Sequence, residues 1–174
     1  LVTIDARYNY WGGDEPEING NVDAGNPLSV EVTGADIEVM NGTNVTSFFN
    51  GSLVVEYSVK DLTSLIAVQF NESIEGALEN NTGNFVVLVV NETENLNEMT
   101  VKIFYKEDDL SGINEAYLKM CWWDGSVWKI CSQTGVNTTD SGNFSGYIWA
   151  RIGGETTPDL NELSEMLFGG GVAE

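Results

Sequence analysis

The stretch LVVEYSVK, residues 53–60, sets Leu53, Val55, Tyr57 and Val59 in alternation with Val54, Glu56, Ser58 and Lys60. Successive side chains of an extended backbone point to opposite sides, so a period of two marks a strand with one face in a core and the other in water. The same texture recurs on both sides of it. Asp36–Met40, Leu65–Phe70, Phe85–Val90, Met99–Tyr105, Ala116–Trp123, Val127–Cys131 and Phe144–Ile152 are short β-branched and aromatic runs divided by turn clusters. Asn19-Gly20, Asn41-Gly42, Asn50-Gly51 and Asp124-Gly125 supply turn residues that tolerate positive φ at little steric cost. Helix is scarce. KEDDLSG, residues 106–112, predicts one short turn with its acids near the positive end of the helix dipole. Leu160, Leu163 and Leu167 have helical spacing, but FGGGVAE follows, so 155–174 reads as a C-terminal tail. The expected fold is all-β: an antiparallel β-sandwich, immunoglobulin-like or jelly-roll-like, over 29–154. An N-terminal extended arm and Gly/Asn-rich joint occupy 1–28.

Composition bounds the partners. Seven Lys and Arg against 27 Asp and Glu give a formal charge of −20 over 174 residues. That field repels phosphate backbones and anionic headgroups, so nucleic acid is not an expected partner. The longest apolar run, Phe85–Val90, falls far short of the roughly 20 residues that cross a bilayer, and no membrane insertion is expected. Leu1–Asp5 has no basic n-region or apolar h-region, which reads as a mature or processed chain. At 42% hydrophobic residues with 18 aromatics, the chain is too rich in core-forming side chains to stay disordered.

The compartment signal is sharper. Asn-x-Ser/Thr occurs at Asn41, Asn44, Asn50, Asn71, Asn80, Asn91, Asn137 and Asn143. Such density predicts an extracellular, cell-surface protein carrying covalent N-glycans.

AYLKMCWWDGSVWKICS, residues 116–132, reads as a hairpin. Leu118, Met120 and Trp122 share one face, and Trp128 and Ile130 offer the matching one, so even positions should pair with even. Trp122 opposite Trp128 leaves a loop of Asp124, Gly125 and Ser126. Trp122 opposite Ile130 brings Cys121 across from Cys131, near the roughly 4 Å between Cβ atoms that a disulfide needs. Two cysteines in a sequon-rich chain without a metal-ligand pattern favour oxidation, so a Cys121–Cys131 disulfide is expected, contributing on the order of 2–3 kcal/mol. Buried free thiols are the alternative.

The chain has no His. That removes His-based triads and His metal sites, and two cysteines within one hairpin do not form a zinc ribbon. Asp14, Glu15, Glu17 and Asp23, or Glu107, Asp108 and Asp109, could in principle supply an acid and a base. Turn and surface acids far outnumber catalytic pairs, so no enzyme activity, catalytic residue or required cofactor is expected. The acidic loops could hold Ca²⁺, though no Asp-x-Asp-x-Asp-Gly loop exists and no ligand set is assigned. Core packing accounts for most of Trp11, Trp122, Trp123, Trp128 and Trp149; alternation puts Trp123 on the face opposite Trp122, where it could stack on sugar.

DARYNYWGGDEPEINGNVD, through Asn9, Trp11, Gly12, Gly20, Asn21, Val22 and Asp23, resembles the last rung and exit segment of the right-handed parallel β-helix surface proteins of archaea. The β-sandwich module that follows in those surface-layer and cell-surface proteins is resembled through Tyr105, Leu110, Gly112, Ile113, Asn114 and Glu115, then Trp123, Asp124, Gly125, Ser126 and Trp128. TTPDLNELSEMLFGGG resembles the family's exit linker. About two thirds of the chain is covered. The β-helix is missing apart from at most one rung, and a single rung cannot bury its own face. Leu1, Val2, Ile4, Tyr8, Tyr10 and Trp11 therefore read as an assembly arm, adding as a strand to a sheet edge of the next copy; the alternative is docking on its own sheet. Head-to-tail addition that does not close yields a fibre. The resemblance thus implies an extracellular structural glycoprotein, a homopolymer subunit of a filament, pilus-like assembly or surface layer. The alternatives are a carbohydrate-binding surface module of a larger β-helix protein, using Trp123, and a fragment of a polysaccharide-processing β-helix enzyme using Asp14 or Asp23.

Overall fold

The computed structural model describes residues 4–5, 22–23 and 32–172. Strands run, in chain order, as β1 (Ile4–Asp5), β2 (Val22–Asp23), β3 (Val32–Met40), β4 (Thr43–Phe48), β5 (Leu53–Val59), β6 (Thr63–Phe70), β7 (Asn81–Val90), β8 (Leu96–Tyr105), β9 (Leu118–Trp123), β10 (Trp128–Ile130), β11 (Thr134–Asn137), β12 (Gly146–Ile152) and β13 (Met166–Val172). A six-stranded sheet, β10-β9-β13-β7-β6-β3, packs on a five-stranded sheet, β11-β12-β8-β5-β4. Within both, the paired strands are antiparallel. The chain is an all-β sandwich. β1 and β2 form a separate parallel pair, with Ile4 opposite Val22 and Asp5 opposite Asp23.

The alternation in residues 53–60 is realised side chain by side chain: Leu53, Val55, Tyr57 and Val59 are buried while Val54, Glu56 and Ser58 are half-buried and Lys60 is exposed. With Met99, Val101, Ile103, Ile148, Ala150 and Ile152 they form the inner layer of the five-stranded sheet. Opposite lie Leu65, Ala67, Val86, Leu88, Val90, Leu118, Met120, Trp122, Met166 and Phe168. A second cluster covers part of the outer side of the six-stranded sheet. There the β6–β7 connection brings Leu78 and Ile74 over Phe70, Phe85, Cys121, Leu167, Trp123 and Trp128.

The C-terminal tail expected over 155–174 is corrected. Leu160–Ser164 is a single 3-10 turn, begun by Asp159, whose carboxylate accepts from Asn161 N at 2.8 Å while its own N donates to Glu162 at 2.8 Å. β13 then enters the middle of the six-stranded sheet, hydrogen-bonded to β7 on one side and β9 on the other. The glycines that read as slack are packing residues. A Cβ on Gly169 would sit 2.7 Å from the Phe85 ring, one on Gly170 2.2 Å from Ile148 Cδ1, and one on Gly171 2.9 Å from Leu78. Lacking side chains there, β13 lies flush beneath its neighbours. The short turn expected in KEDDLSG is the 3-10 turn Glu107–Leu110.

Candidate functional site

Neither expected hairpin register occurs. Trp128 pairs with Trp123, Lys129 with Trp122 and Ile130 with Cys121. The cause is local. Asp124 Oδ1 accepts from Ser126 N at 2.9 Å and Val127 N at 2.8 Å, and Asp124 N donates to Val127 O at 3.2 Å. This leaves Asp124–Val127 between the paired Trp123 and Trp128, one residue fewer than pairing Trp122 with Trp128 would leave, with Gly125 at φ 93°. The Lys129 ammonium pairs with Asp124, and together with those two N–H groups holds its carboxyl well below the usual carboxylate range. Tertiary packing supports the shift: Trp128 stacks edge-on to Trp123 at 5.8 Å and donates from Nε1 to Gly76 O at 2.5 Å. Trp123 is accordingly half-buried, with one side against Gly76 of the β6–β7 connection.

The expected disulfide is corrected with the register. Cys121 and Cys131 are free, buried thiols. Cys121 belongs to the outer cluster, whereas Cys131, whose N donates to Met120 O at 3.0 Å, belongs to the central core. Burial pushes the Cys121 thiol up to about 11, and burial with the neighbouring Cys121 raises Cys131 further. At pH 8, alkylation of the native protein should therefore be slow at both thiols and become fast on unfolding, while reductant leaves the melting midpoint unchanged. Mass spectrometry of denatured, alkylated protein checks this; a chain that takes up no label would restore the disulfide.

The sequons lie where a glycan could stand. Asn41, Asn44, Asn50, Asn71, Asn80, Asn91 and Asn143 are exposed and Asn137 is half-buried, its amide held by Tyr147 OH at 3.2 Å and Thr139 N at 2.8 Å. All occupy turns, connections or the ends of strands except Asn44, which sits on edge strand β4.

The two outer faces differ in kind. On the five-stranded sheet, Glu56 pairs with Lys102 and Glu98 with Arg151 at 2.5 Å. On the six-stranded sheet, cross-strand neighbours Ile37, Ile66 and Val89, with Ala35, Val68 and Val87 alongside, form an apolar field. Ile37 is 60% exposed, Val39 63% and Ile66 41%. β3 is turned against its own hydrophobic pattern: Asp36 and Glu38 share the inner side with Ala67 and Leu65, and Glu38 accepts from Tyr57 OH at 3.2 Å. A slip of one residue would bury Ile37 and Val39; the anchoring of Met40, fully buried opposite Thr63, prevents it. β3 is also an edge strand. The sequence reading missed this face, because the DIEVM pattern, residues 36–40, does not say which of its two sides faces the core.

At the end of the sandwich holding the β4–β5 turn, a groove of about 760 Å³ is lined by Phe49, Phe104, Phe144, Gln69, Asn84 and Asp109, among others. Gln69 Nε2 donates to Asn84 Oδ1 at 2.6 Å and to Ser52 Oγ at 2.9 Å, and Asn84 Nδ2 donates to Phe104 O at 3.0 Å. Phe104 and Phe144 rings lie 5.3 Å apart. The backbone is strained there, with Phe49 at φ 52° and Asn50 at φ 55°.

Glu107, Asp108 and Asp109 sit on one 3-10 turn, with Asp109 accepting from Lys106 N at 2.7 Å. Among the described residues, no three acidic or thiol groups converge as metal ligands. Leu1, Val2, Tyr8, Tyr10 and Trp11 of the arm lie outside the described residues, as do Asn9, Gly12, Gly20, Asn21, the Asn19-Gly20 turn and Asp14, Glu15 and Glu17. Of Ile4 and Asp23 the backbone pairing alone is described. No described helix is long and apolar enough to cross a membrane. Compared with protein-family models, with curated proteins and with solved structures, the chain matches none.

Proposed function

We propose that the chain is an extracellular structural glycoprotein whose copies assemble at a cell surface by strand contact, in the manner of the archaeal β-helix and sandwich surface proteins it resembles. The observation that carries this reading is the inverted edge strand: β3 directs Ile37 and Val39 outward beside Ile66 while its carboxylates face inward. An apolar edge uncovered among the described residues of a protein of charge −20 is a surface suited to a partner. The donor in this reading is the arm, Leu1–Trp11, of a neighbouring copy. Among the described residues β1 pairs with β2 of its own chain and with no strand of either sandwich sheet, which leaves its other edge for a contact in trans. Covering Ile37, Val39 and Ile66, which are 41–63% exposed, contributes at most about 1–2 kcal/mol for each side chain, before the cost of association.

Ile37→Lys with Val39→Lys should abolish assembly of the full chain, as should deletion of residues 1–11. The lysine pair should change the unfolding free energy by no more than about 0.5 kcal/mol, since both positions face solvent. Electron microscopy and light scattering on native material check this. Wild-type protein that stays monomeric at high concentration, or polymers that survive the lysine pair, would overturn the reading.

A further inference from the structure

We propose that the groove beside the β4–β5 turn is a saccharide cradle, and that its occupants are the first sugars of the N-linked glycans on Asn50 and Asn143 of the same chain. This rests on the glycoprotein reading and adds a site to it. Two sequons, Asn50-Gly51-Ser52 and Asn143-Phe144-Ser145, meet at the groove: both asparagines line it, and a methyl on Gly51 would lie 3.6 Å from the Phe144 ring. The asparagines are exposed while the wall behind them is not.

The lining has the chemistry that a pyranose recognises. A sugar ring presents C–H groups that pack on an aromatic face and hydroxyls that need planar amide or carboxylate partners. Phe49, Phe104 and Phe144 supply the first; Gln69, Asn84 and Asp109 supply the second. The amides are already held in place, since Gln69 Nε2 and both polar atoms of Asn84 are engaged in the Ser52–Gln69–Asn84–Phe104 chain. Gln69 Oε1 accepts no hydrogen bond among the described residues and is left for a hydroxyl. Elsewhere along β6 and β7 the inward positions are the apolar Leu65, Ala67, Val86, Leu88 and Val90 and the buried hydroxyls Thr63 and Thr82, and the amides Gln69 and Asn84 stand only at the groove.

Tethering selects the occupant. A glycan linked at the rim is present at an effective concentration set by its own short linkage, so weak intrinsic contacts suffice to seat it. The consecutive left-handed residues Phe49 and Asn50 fit the same purpose: the Phe49 ring packs on Gly34, where a Cβ would meet it at 2.6 Å, while Asn50 is carried to the rim.

The test compares full-length protein from a glycosylating host with the same chain made without glycans. Glycopeptide mass spectrometry should find sugar on Asn50 and Asn143. Phe49, Phe104 and Phe144 ring resonances should differ between the two preparations. Asn50→Gln with Asn143→Gln should lower the melting midpoint of the glycosylated form by on the order of 3 °C more than that of the glycan-free form, which removes the backbone effect of glutamine at a left-handed position. Asn41→Gln with Asn91→Gln, at the opposite end, should show no such difference. Unchanged ring resonances, equal midpoint losses in the two preparations, or sugar at other sequons with none at Asn50 and Asn143 would each overturn the cradle while leaving the glycoprotein reading intact. Sugar at no sequon would overturn both. Titration of glycan-free protein with di-N-acetylchitobiose separates the sources: weak, millimolar binding at the groove fits a tethered occupant, and micromolar binding would make the groove a receptor for saccharide in trans.

Discussion

Phe168→Ala is expected to lower the unfolding free energy by about 3–5 kcal/mol, the range for removing a fully buried large aromatic side chain from a core that cannot close behind it. Phe168 is 0% exposed and lies opposite Trp122 on one neighbouring strand and Val86 on the other. The ring belongs to the central core cluster, so its removal leaves a void among buried side chains held by three adjacent strands. Urea unfolding of wild type and variant measures the difference directly, at unchanged m-value if the folded state stays compact. A loss below about 0.5 kcal/mol is what a surface tail would give, and it would remove β13 from the centre of the sheet.

Gly170→Val tests the same strand from the opposite direction, by adding atoms. The new Cβ would stand 2.2 Å from Ile148 Cδ1 and 3.1 Å from Thr82 Oγ1. Contact that short forces movement, and Ile148 is itself 0% exposed, with neighbouring core side chains blocking its retreat. Overpacking of this kind costs about 1–3 kcal/mol or more. Valine's preference for extended backbone offsets at most about 1 kcal/mol of it. The expected outcome is a melting midpoint lowered by several degrees, on the scale of about 2–4 °C per kcal/mol for a chain of this length. A midpoint equal to wild type would mean that the two sheets do not approach as described. Gly154→Ala is the internal control for added bulk alone, because nothing lies within 4 Å of a Cβ there and its φ is not in the left-handed region.

Both substitutions fall in a stretch that pattern reading misassigned, and the reason is physical. Three consecutive glycines have no side chains with which to display a period, so Gly169–Gly171 carries no hydrophobic alternation even though each residue is buried. The inner faces of β5 and β8 were legible because their neighbours alternate between core and solvent. The sequons were legible as local motifs, and their exposure agrees with the polar turns that hold most of them. The hairpin was half legible. Its Asp-Gly turn is a local signal, but its register is decided by hydrogen bonds to Asp124 and by Trp128 reaching Gly76, a residue far away in sequence. The groove was not legible at all, because Gln69, Asn84, Phe104 and Phe144 come from separate strands and connections.

By itself, then, the chain's order of residues determined that it would be all-β, where most of its strands and turns would fall, and which asparagines could accept sugar. Each depends on interactions within a few residues or on the two-residue period of one strand. Tertiary structure alone decided that the glycine-rich end is a central strand and that β3 turns its apolar side outward, and with the Asp124 turn it set the register that keeps the cysteines apart. Those outcomes depend on how sheets meet across the core, where one buried anchor such as Met40 or one close approach such as Gly170 to Ile148 outweighs the local pattern.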